Sequence, residues 1–369
     1  MLFNPYPNAF GLDIGDLSIK VVALQNISGR KRTPRFRLDV ARQTGLPPGL
    51  ILDGEIQSPE QVRTYIKHLL EGSKGEKAIT GKWCVATIPE IHSFIKVIHV
   101  PKEEHDVIED DILLLAKQHI PFDEESYYLD WQPLPPLVAD VQISHTRVLI
   151  GATPKHIADM YTYLIESLGL GIIALEIEAL AIARSMITST KEYEGEARAL
   201  LDIGATQTGL IVYDNETIQF SQTIPFSGEV ITTAIEQGLH ISREKAEKLK
   251  HIHGISYTKE YGEALGLIKQ SVDTFVDTIA RTFQFYYSHF IDTNNITHIT
   301  MSGGASNMKQ LPELLSERLG IECKTGKIWK NLGDSPGTLP DEAASLGYAT
   351  AVGLALRAAD NPFRQYDMI

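Results

Sequence analysis

The sequence predicts an α/β protein of two related domains facing each other across a cleft, with a small β-α-β-β subdomain inserted in the first. Three observations predict it. The tetrapeptide Leu12-Asp13-Ile14-Gly15 returns unchanged as Leu201-Asp202-Ile203-Gly204, each copy ending an apolar, strand-like run. After each copy the chain turns at the glycine and enters two further β-rich stretches, so each half opens with a three-stranded antiparallel meander. Between Pro89 and Pro154 the pattern changes to strand, helix, strand, strand. A repeat this widely spaced marks duplicated domains rather than a solenoid.

In chain order, the first copy leads into Ile19–Leu24, a polar turn at Ser28-Gly29-Arg30 and a third strand over Phe36–Thr44. Ser58-Pro59-Glu60 places a capping residue before a first-turn proline and opens a helix through Leu70. A strand over Gly81–Ile88 closes this part. The insertion reads as strand Ser93–His99, helix Glu103–His119 and strands Tyr127–Gln132 and His145–Gly151, the last two joined through Pro133–Pro136. Its helix carries Val107, Ile108, Ile112, Leu115 and Ala116 as an apolar stripe.

The second copy leads into Gly209–Tyr213, the turn pair Asp214-Asn215 and Thr217–Ile224. Helices follow over Gly228–Gly238, over Ser242–His251 with Glu244 and Lys248 one turn apart, and from Thr258 to Phe290. In the last of these, Phe275, Phe283, Tyr286, Tyr287 and Phe290 read as core or interdomain packing. A β-branched strand, Ile296–Met301, precedes Ser302-Gly303-Gly304-Ala305 and a helix from Asn307; a final helix runs over Asp341–Ala358.

Composition narrows the function. The chain has 369 residues, with 34 lysines and arginines against 47 aspartates and glutamates, a formal charge of −13. That balance argues against nucleic acid as the main partner, because phosphate backbones call for a clustered basic surface. The one locally basic stretch, Arg30–Arg37, reads as a solvated hairpin tip. Two cysteines, Cys84 and Cys323, make no disulfide framework, which points to a reducing compartment. The first residues lack the basic start and apolar core of a signal peptide, and the longest apolar run, Leu168–Ala183, is broken by Glu176 and Glu178. The expectation is a cytoplasmic protein, or one held at a membrane by a partner. The twelve histidines show no metal-ligand spacing.

Asp-X-Gly after a strand, used by two facing domains, has a definite chemical use. The glycine lets backbone N–H groups approach a phosphate chain unobstructed. The aspartate ending the strand points into the cleft, where Asp13 and Asp202 can hold Mg²⁺ through water. Lys20, on the hairpin strand after the first turn, carries an ammonium that can reach phosphate oxygens. The third glycine element, Gly303-Gly304 between strand and helix, forms an anion- or base-binding edge. Ordinary hairpins and an ordinary strand-to-helix connection remain the plain alternatives.

The order of these elements resembles the actin-like ATPase superfamily of actin, the sugar kinases and the cell-division protein FtsA. The motifs that carry the resemblance are LDIGDLSIK (Leu12–Lys20), EIEALAIA (Glu176–Ala183), LDIGATQT (Leu201–Thr208), MSGGA (Met301–Ala305) and AASLGYATA (Ala343–Ala351). Within the superfamily the chain is most similar to the PilM family of type IV pilus assembly, through GLDIGDLSIKVVAL (Gly11–Leu24), AKQHIPF (Ala116–Phe122) and AVGLALR (Ala351–Arg357).

The resemblance implies two actin-like (ribonuclease H-like) domains around a nucleotide cleft: domain I over 1–200 completed by 341–369, a 1C-type insert over 90–154, and domain II over 201–340 with a IIB part at 226–270. It implies ATP and Mg²⁺ as cofactors. Asp13, Gly15, Asp16, Ser18 and Lys20 would contact phosphate or Mg²⁺ from one side, and Asp202, Gly204, Ala205 and Thr206 from the other. Gly228, Glu247 and Lys250 would face ribose and adenine, and Gly303 and Gly304 would back the base or α-phosphate. Glu178 would orient an attacking water, as a carboxylate near a γ-phosphate can; a helix-surface glutamate is the alternative, and Glu176 the competitor for the role.

The implied function is a cytoplasmic ATP-binding scaffold, at most a slow ATPase, peripheral to the inner membrane. It would bind a PilN-like inner-membrane protein through a short N-terminal peptide near residues 81–154, without inserting in the membrane itself; self-association stays open. Two other readings are an FtsA-like filament-forming ATPase, which the tail Asp360–Ile369 disfavours because it lacks an amphipathic face, and a small-molecule kinase. Three positions depart from the family pattern: Ser227-Gly228 for a glycine pair, Gln222 for an arginine, and Asp16 for a small hydroxyl residue.

Overall fold

The computed structural model describes residues 5–27, 35–120, 125–137, 145–188, 191, 193–332 and 342–360. The turn at Ser28-Gly29-Arg30, most of the basic stretch after it, Pro121-Phe122, the start of the C-terminal helix at Asp341 and the tail beyond Asp360 lie outside them.

The first half opens with strands β1 (Phe10–Ile14), β2 (Ser18–Asn26) and β3 (Phe36–Gly45) as an antiparallel meander. A two-residue ribbon, β4 (Ile51–Leu52) and β5 (Glu55–Ile56), precedes helix α1 (Pro59–Glu71) and strand β6 (Trp83–Ile88). The inserted segment supplies β7 (Phe94–Val100), α2 (Glu109–His119), β8 (Tyr127–Pro133) and β9 (Thr146–Pro154). Then come α3 (Lys155–Ser167), β10 (Gly171–Ile177) and α4 (Glu178–Met186). The second half repeats the meander as β11 (Ala197–Ile203), β12 (Thr208–Asp214) and β13 (Thr217–Ile224). It continues with α5 (Gly228–Leu239), α6 (Arg243–His253), α7 (Ala264–His289), β14 (Ile296–Ser302), α8 (Leu311–Leu319) and β15 (Glu322–Thr325). A short α9 (Glu342–Ser345) and α10 (Ala349–Ala359) end the described chain.

The two halves share one topology. The first sheet has the order β10-β6-β1-β2-β3, with β6 parallel to both β1 and β10. The second has β15-β14-β11-β12-β13, in which β14 is parallel to both β11 and β15. The second sheet then runs on through β7, β9 and β8, joined by the pair Phe220↔Lys96. The insert thus leaves the chain from the first half yet extends the sheet of the second.

The central strands of both sheets are apolar on both faces, as strands covered on two sides must be. On β2, Ile19 and Val21 enter the core of the first half while Val22 and Leu24 point the other way. On β11 and β12, Leu201 and Leu210 enter the core of the second half, whereas Leu200 and Ile211 join Val22 and Leu24. Helices α4 and α10 fill this shared middle layer through Ile182, Met186, Val352 and Ala355.

Several boundaries differ from those the sequence pattern predicts. The long helix begins at Ala264, not Thr258, because Gly262 takes φ 48° and ends a preceding one-turn segment. Helix α2 begins at Glu109 because Ile108 is extended, and Ile108 is exposed rather than part of the stripe. The helix expected from Asn307 is a 3₁₀ turn over Gly304–Asn307, followed by α8 only after Gln310 adopts φ 66°. The final helix is interrupted over Leu346–Tyr348, where Gly347 is turned toward Lys20 and Gly304. Tyr287 leaves the aromatic core stripe and accepts a hydrogen bond from the Ile296 N–H at 2.9 Å, while Phe275, Phe283 and Tyr286 stay buried. The sequence pattern did not include α3, β10 or β15 as elements.

Helix α10 lies against β1 and α4 at backbone distance. A Cβ at Gly11 would stand 2.5 Å from the Ala351 carbonyl oxygen, and one at Gly353 would stand 1.8 Å from the Ala181 carbonyl oxygen. Helix propensity alone makes Gly353→Ala stabilising by ~1 kcal/mol. The packing reverses that sign: the variant is expected to lose roughly 1–3 kcal/mol in denaturant unfolding, as overpacked cores do. Gly266→Ala, a helical glycine with no neighbour within 4 Å, serves as the control and is expected to gain stability. A stabilised Gly353→Ala would show that α10 is not seated in this way.

Candidate functional site

The two Asp-X-Gly turns close in the same way. Gly15 N–H donates to the Ser18 carbonyl at 3.0 Å, and Gly204 N–H donates to the Gln207 carbonyl at 2.9 Å. Their registers match, Ile14↔Ile19 beside Ile203↔Thr208, so Asp13 faces Lys20 and Asp202 faces Gly209. The turns line a cleft of about 700 Å³ between the halves. From the first half Asp13, Gly15, Asp16, Ser18, Lys20 and Glu178 reach it. From the second half Asp202, Gly204, Ala205, Thr206, Gly303 and Gly304 reach it. Gly228, Glu247 and Lys250 line an adjoining recess of about 200 Å³ that shares Ala205, His251 and Gly304 with the cleft. The residues that the resemblance assigns to the nucleotide, together with Glu178, therefore line two adjoining spaces, whereas Glu176 and Gln222 line neither.

Charge in the cleft is unbalanced. Lys20, the one lysine or arginine among its described lining residues, donates to Asp13 Oδ2 at 3.2 Å and to Ser18 Oγ at 3.0 Å. Burial works against its ammonium, but Asp13, Asp202 and Glu178 carry its pKa above the ordinary lysine value. Asp202 accepts from Ser302 Oγ at 2.6 Å, yet burial and Asp13 raise its carboxyl. Glu178, the first residue of α4, is raised well above the usual range by burial and then by Asp13, Glu90 and Asp202, with Lys20 opposing.

Asp16 bridges the mouth of the cleft. Its Oδ1 accepts the Gly54 N–H at 2.9 Å, and the Thr206 hydroxyl of the opposite turn stands beside it. Burial nevertheless raises its carboxyl above the usual carboxylate range, outweighing those contacts. In the recess, Lys250 Nζ donates to the Gly228 carbonyl at 3.2 Å and to Thr232 Oγ1 at 2.9 Å, and pairs with Glu247 at 2.8 Å. Burial works against the Glu247 carboxylate, but Lys250 and Thr232 hold its pKa below the usual range. Gly303 has φ 87°, and a Cβ there would lie 2.3 Å from the Ile203 carbonyl oxygen, so glycine alone fits beside the second turn.

Glu176 does not compete with Glu178 for the cleft. Its carboxylate is buried under α10, where Arg184 holds it through two hydrogen bonds of 2.7 Å and Arg357 adds a third. Burial opposes that charge, and the two arginines keep its pKa low. Gln222, at a position of family departure, accepts from Thr282 Oγ1 at 3.1 Å, and Ser227 caps α5 by accepting the Val230 N–H at 3.3 Å.

The sequence analysis missed Glu90 and Gly54. Gly54 sits in the β4–β5 turn at φ 79°, and only its placement against Asp16 gives it a role. Glu90 follows β6, and a usable signal existed: β6 is the parallel neighbour of β1, so its carboxyl end opens onto the same cleft as Asp13. Glu90 is 4% exposed, and burial pushes its carboxyl up to about 7, with Ser221 opposing and Asp202 adding.

Chemically, the cleft offers backbone N–H groups at two turns, the Lys20 ammonium and an excess of carboxylates, and the recess adds the Lys250–Glu247 pair. Among the described residues no three histidine, cysteine, aspartate or glutamate side chains stand close enough to hold a metal ion directly. The donor set fits a hydrated hard cation, held through water by Asp13 and Asp202.

A buried acid raised to about 7 favours the folded state at low pH, and that contribution fades as pH climbs from about 4.5 to about 7. Glu90→Gln removes this slope. The variant is expected to melt with the wild type near pH 4.5 and several degrees above it at pH 8, a gain of up to roughly 3 kcal/mol. A melting difference that is constant with pH would show that Glu90 does not titrate in this range.

The profile of the family described as type IV pilus assembly protein PilM matches residues 11–359. Among solved structures, the PilM-PilN type IV pilus biogenesis complex superposes with a TM-score of 0.81 at 23% identity, covering 96% of this chain and 100% of that one. MreB5 of Spiroplasma citri bound to ADP gives a TM-score of 0.50 at 12% identity and 97% coverage of each chain. Cell division protein FtsA of Enterococcus faecalis is 25% identical over 263 residues, covering 67% of this chain and 58% of that protein. The match thus spans less than two thirds of that relative's length. Among the described residues no helix is long and apolar enough to cross a membrane. With a family match over nearly its whole length and the same fold in a solved relative, the chain belongs to the family described as type IV pilus assembly protein PilM.

Proposed function

We propose that the cleft binds ATP with Mg²⁺ and that the nucleotide holds the two halves together as a scaffold for a membrane partner. The observation that carries this is the pair of equivalent glycine turns, Gly15–Ser18 and Gly204–Gln207, facing one space backed by Gly303 and Gly304. Two such turns can grip a polyphosphate from opposite sides through backbone N–H groups. Lys20 supplies charge to the phosphates, and the recess at Gly228, Glu247 and Lys250 takes the nucleoside. Bound Mg²⁺ would neutralise phosphate charge; Asp13 and Asp202 would hold its water shell. The ADP in the MreB5 relative supports a nucleotide here.

Residues 1–200 with 341–369 form domain I in this proposal, 201–340 domain II with 226–270 as its IIB part, and 90–154 the 1C-type insert. Glu178 would orient water near the γ-phosphate. Burial and the neighbouring acids raise its carboxyl well above the usual range, which disfavours the charged form that would take a proton from that water. In this reading turnover is slow at most.

The complex named in the PilM-PilN structure supports a PilN-like partner. We place its short N-terminal segment against the insert and the chain itself in the cytoplasm, peripheral to the inner membrane. An extended peptide can be recognised there by main-chain pairing or by burial in a groove.

Titration calorimetry with Mg²⁺·ATP is expected to show Asp13→Ala weakening binding at least ~10-fold, about 1.4 kcal/mol. Glu178→Ala is expected to leave affinity within a few-fold and turnover near zero in both proteins. Fast turnover lost with Glu178 would instead make this a working ATPase, and no ATP binding by the wild type would refute the assignment. For the partner, amide exchange with a peptide from the N-terminus of a PilN-like protein is expected to show protection within residues 94–154; protection confined to α7 or α8 would place the interface elsewhere.

A further inference from the structure

Glu90 is buried in the cleft wall without the partners a buried carboxylate normally has. It occupies the single 3₁₀ turn Glu90–His92 after β6 and lines the cleft. Neither carboxylate oxygen has a hydrogen bond, and the Ser221 hydroxyl of β13 stands beside it. Its position follows from an asymmetry between the repeats. In the first hairpin the residue opposite the aspartate is Lys20; in the second it is Gly209. A Cβ at Gly209 would stand 3.3 Å from Glu90 Oε2. The second half therefore leaves its own side-chain place vacant, and a carboxylate from the first half fills it, next to Asp202 and within the field of Glu178.

A carboxylate buried in the cleft wall beside other acids is unfavourable unless a cation or donor meets it. Lys20 is engaged with Asp13 and Ser18 on the other side. A divalent ion that keeps most of its water shell supplies what is missing, because its waters are O–H donors that several carboxylates can share.

We propose that Glu90 completes the divalent-cation subsite of the cleft, accepting hydrogen bonds from the ion's water shell on the side of Asp202 that Gly209 leaves open. This rests on the assignment of the cleft to a Mg²⁺-bound nucleotide. The two repeats then divide the labour: the place opposite Asp13 carries an ammonium for phosphate, and the place opposite Asp202 carries a carboxylate for the cation. Glu90 acts through the ion's waters and is a positioning residue.

The test uses the full chain and two variants, Glu90→Gln, which keeps shape, and Glu90→Asp, which keeps charge but retracts it. ATP affinity is measured by calorimetry in EDTA and across a Mg²⁺ series, and Mn²⁺ binding is followed by its electron paramagnetic resonance signal with ADP present. Glu90→Gln is expected to keep or tighten cation-free ATP binding while reducing the Mg²⁺-dependent gain and Mn²⁺ affinity roughly 10-fold or more, the usual effect of losing an outer-shell ligand. Glu90→Asp is expected to fall between it and the wild type. If Glu90 only fills space, both variants change melting temperature but superpose on the wild-type cation titrations, which overturns the inference while leaving the nucleotide assignment standing. A wild type that binds ATP without any cation dependence also overturns it, and a wild type that binds no ATP removes the assignment together with this inference.

Discussion

The seating of α10 against β1 and α4 is the contact on which the rest of the molecule depends. Where Gly11 meets Ala351 and Gly353 meets Ala181, backbone touches backbone, and no larger side chain fits. This close approach returns the last described helix to the first strand and builds the middle layer in which Val22, Ile182, Leu200 and Val352 meet. It also delivers Gly347 and Thr350 to the floor of the cleft. The separation of the two sheets, and hence the width of the space between the two glycine turns, follows from the thickness of that layer. Small residues at its tightest points are a geometric requirement, since interiors at this density transmit displacement rather than absorb it.

Electrostatics in the cleft work against this tight mechanical fit. Asp13, Glu90, Glu178 and Asp202 share one space with a single lysine among the described lining residues, and three of them are raised above the usual carboxylate range, mainly by burial. A site so arranged is less stable on its own than a neutral one and gains from a bound cation by mass action. In the proposed function this links binding to folding: the same acids that burden the cleft would favour a ligand that brings positive charge with its phosphates.

Much of this was legible before the structure. The repeated Leu-Asp-Ile-Gly marked both hairpins, and because side-chain direction in a hairpin follows register, it also placed Asp13, Lys20 and Asp202 on the cleft side. The glycines were readable for the same local reason. Pieces that depend on distant parts of the chain were not. Nothing near Glu90 in sequence says that β6 ends beside Gly209 of the other half, and nothing near Asp53-Gly54 says that this turn binds Asp16. Glu176 and Glu178 look interchangeable as a pair; strand-to-helix geometry sends one under α10 to two arginines and the other into the cleft. Helix starts shifted wherever a single backbone angle decided them, as at Gly262 and Gln310.

The insert has an unusual mechanical position. Its chain ends are covalently part of the first half, while β7 lies in the ladder of the second through Phe220↔Lys96, and Arg147 on β9 donates to the Asn215 carbonyl at 3.1 Å. Tension on its outer strand β8 is therefore divided between both halves rather than passed to one. Pulling on the insert loads the seam beside the cleft, and separating the halves requires the insert to tear from one of them. A tether attached there holds a closed clamp, not a free arm.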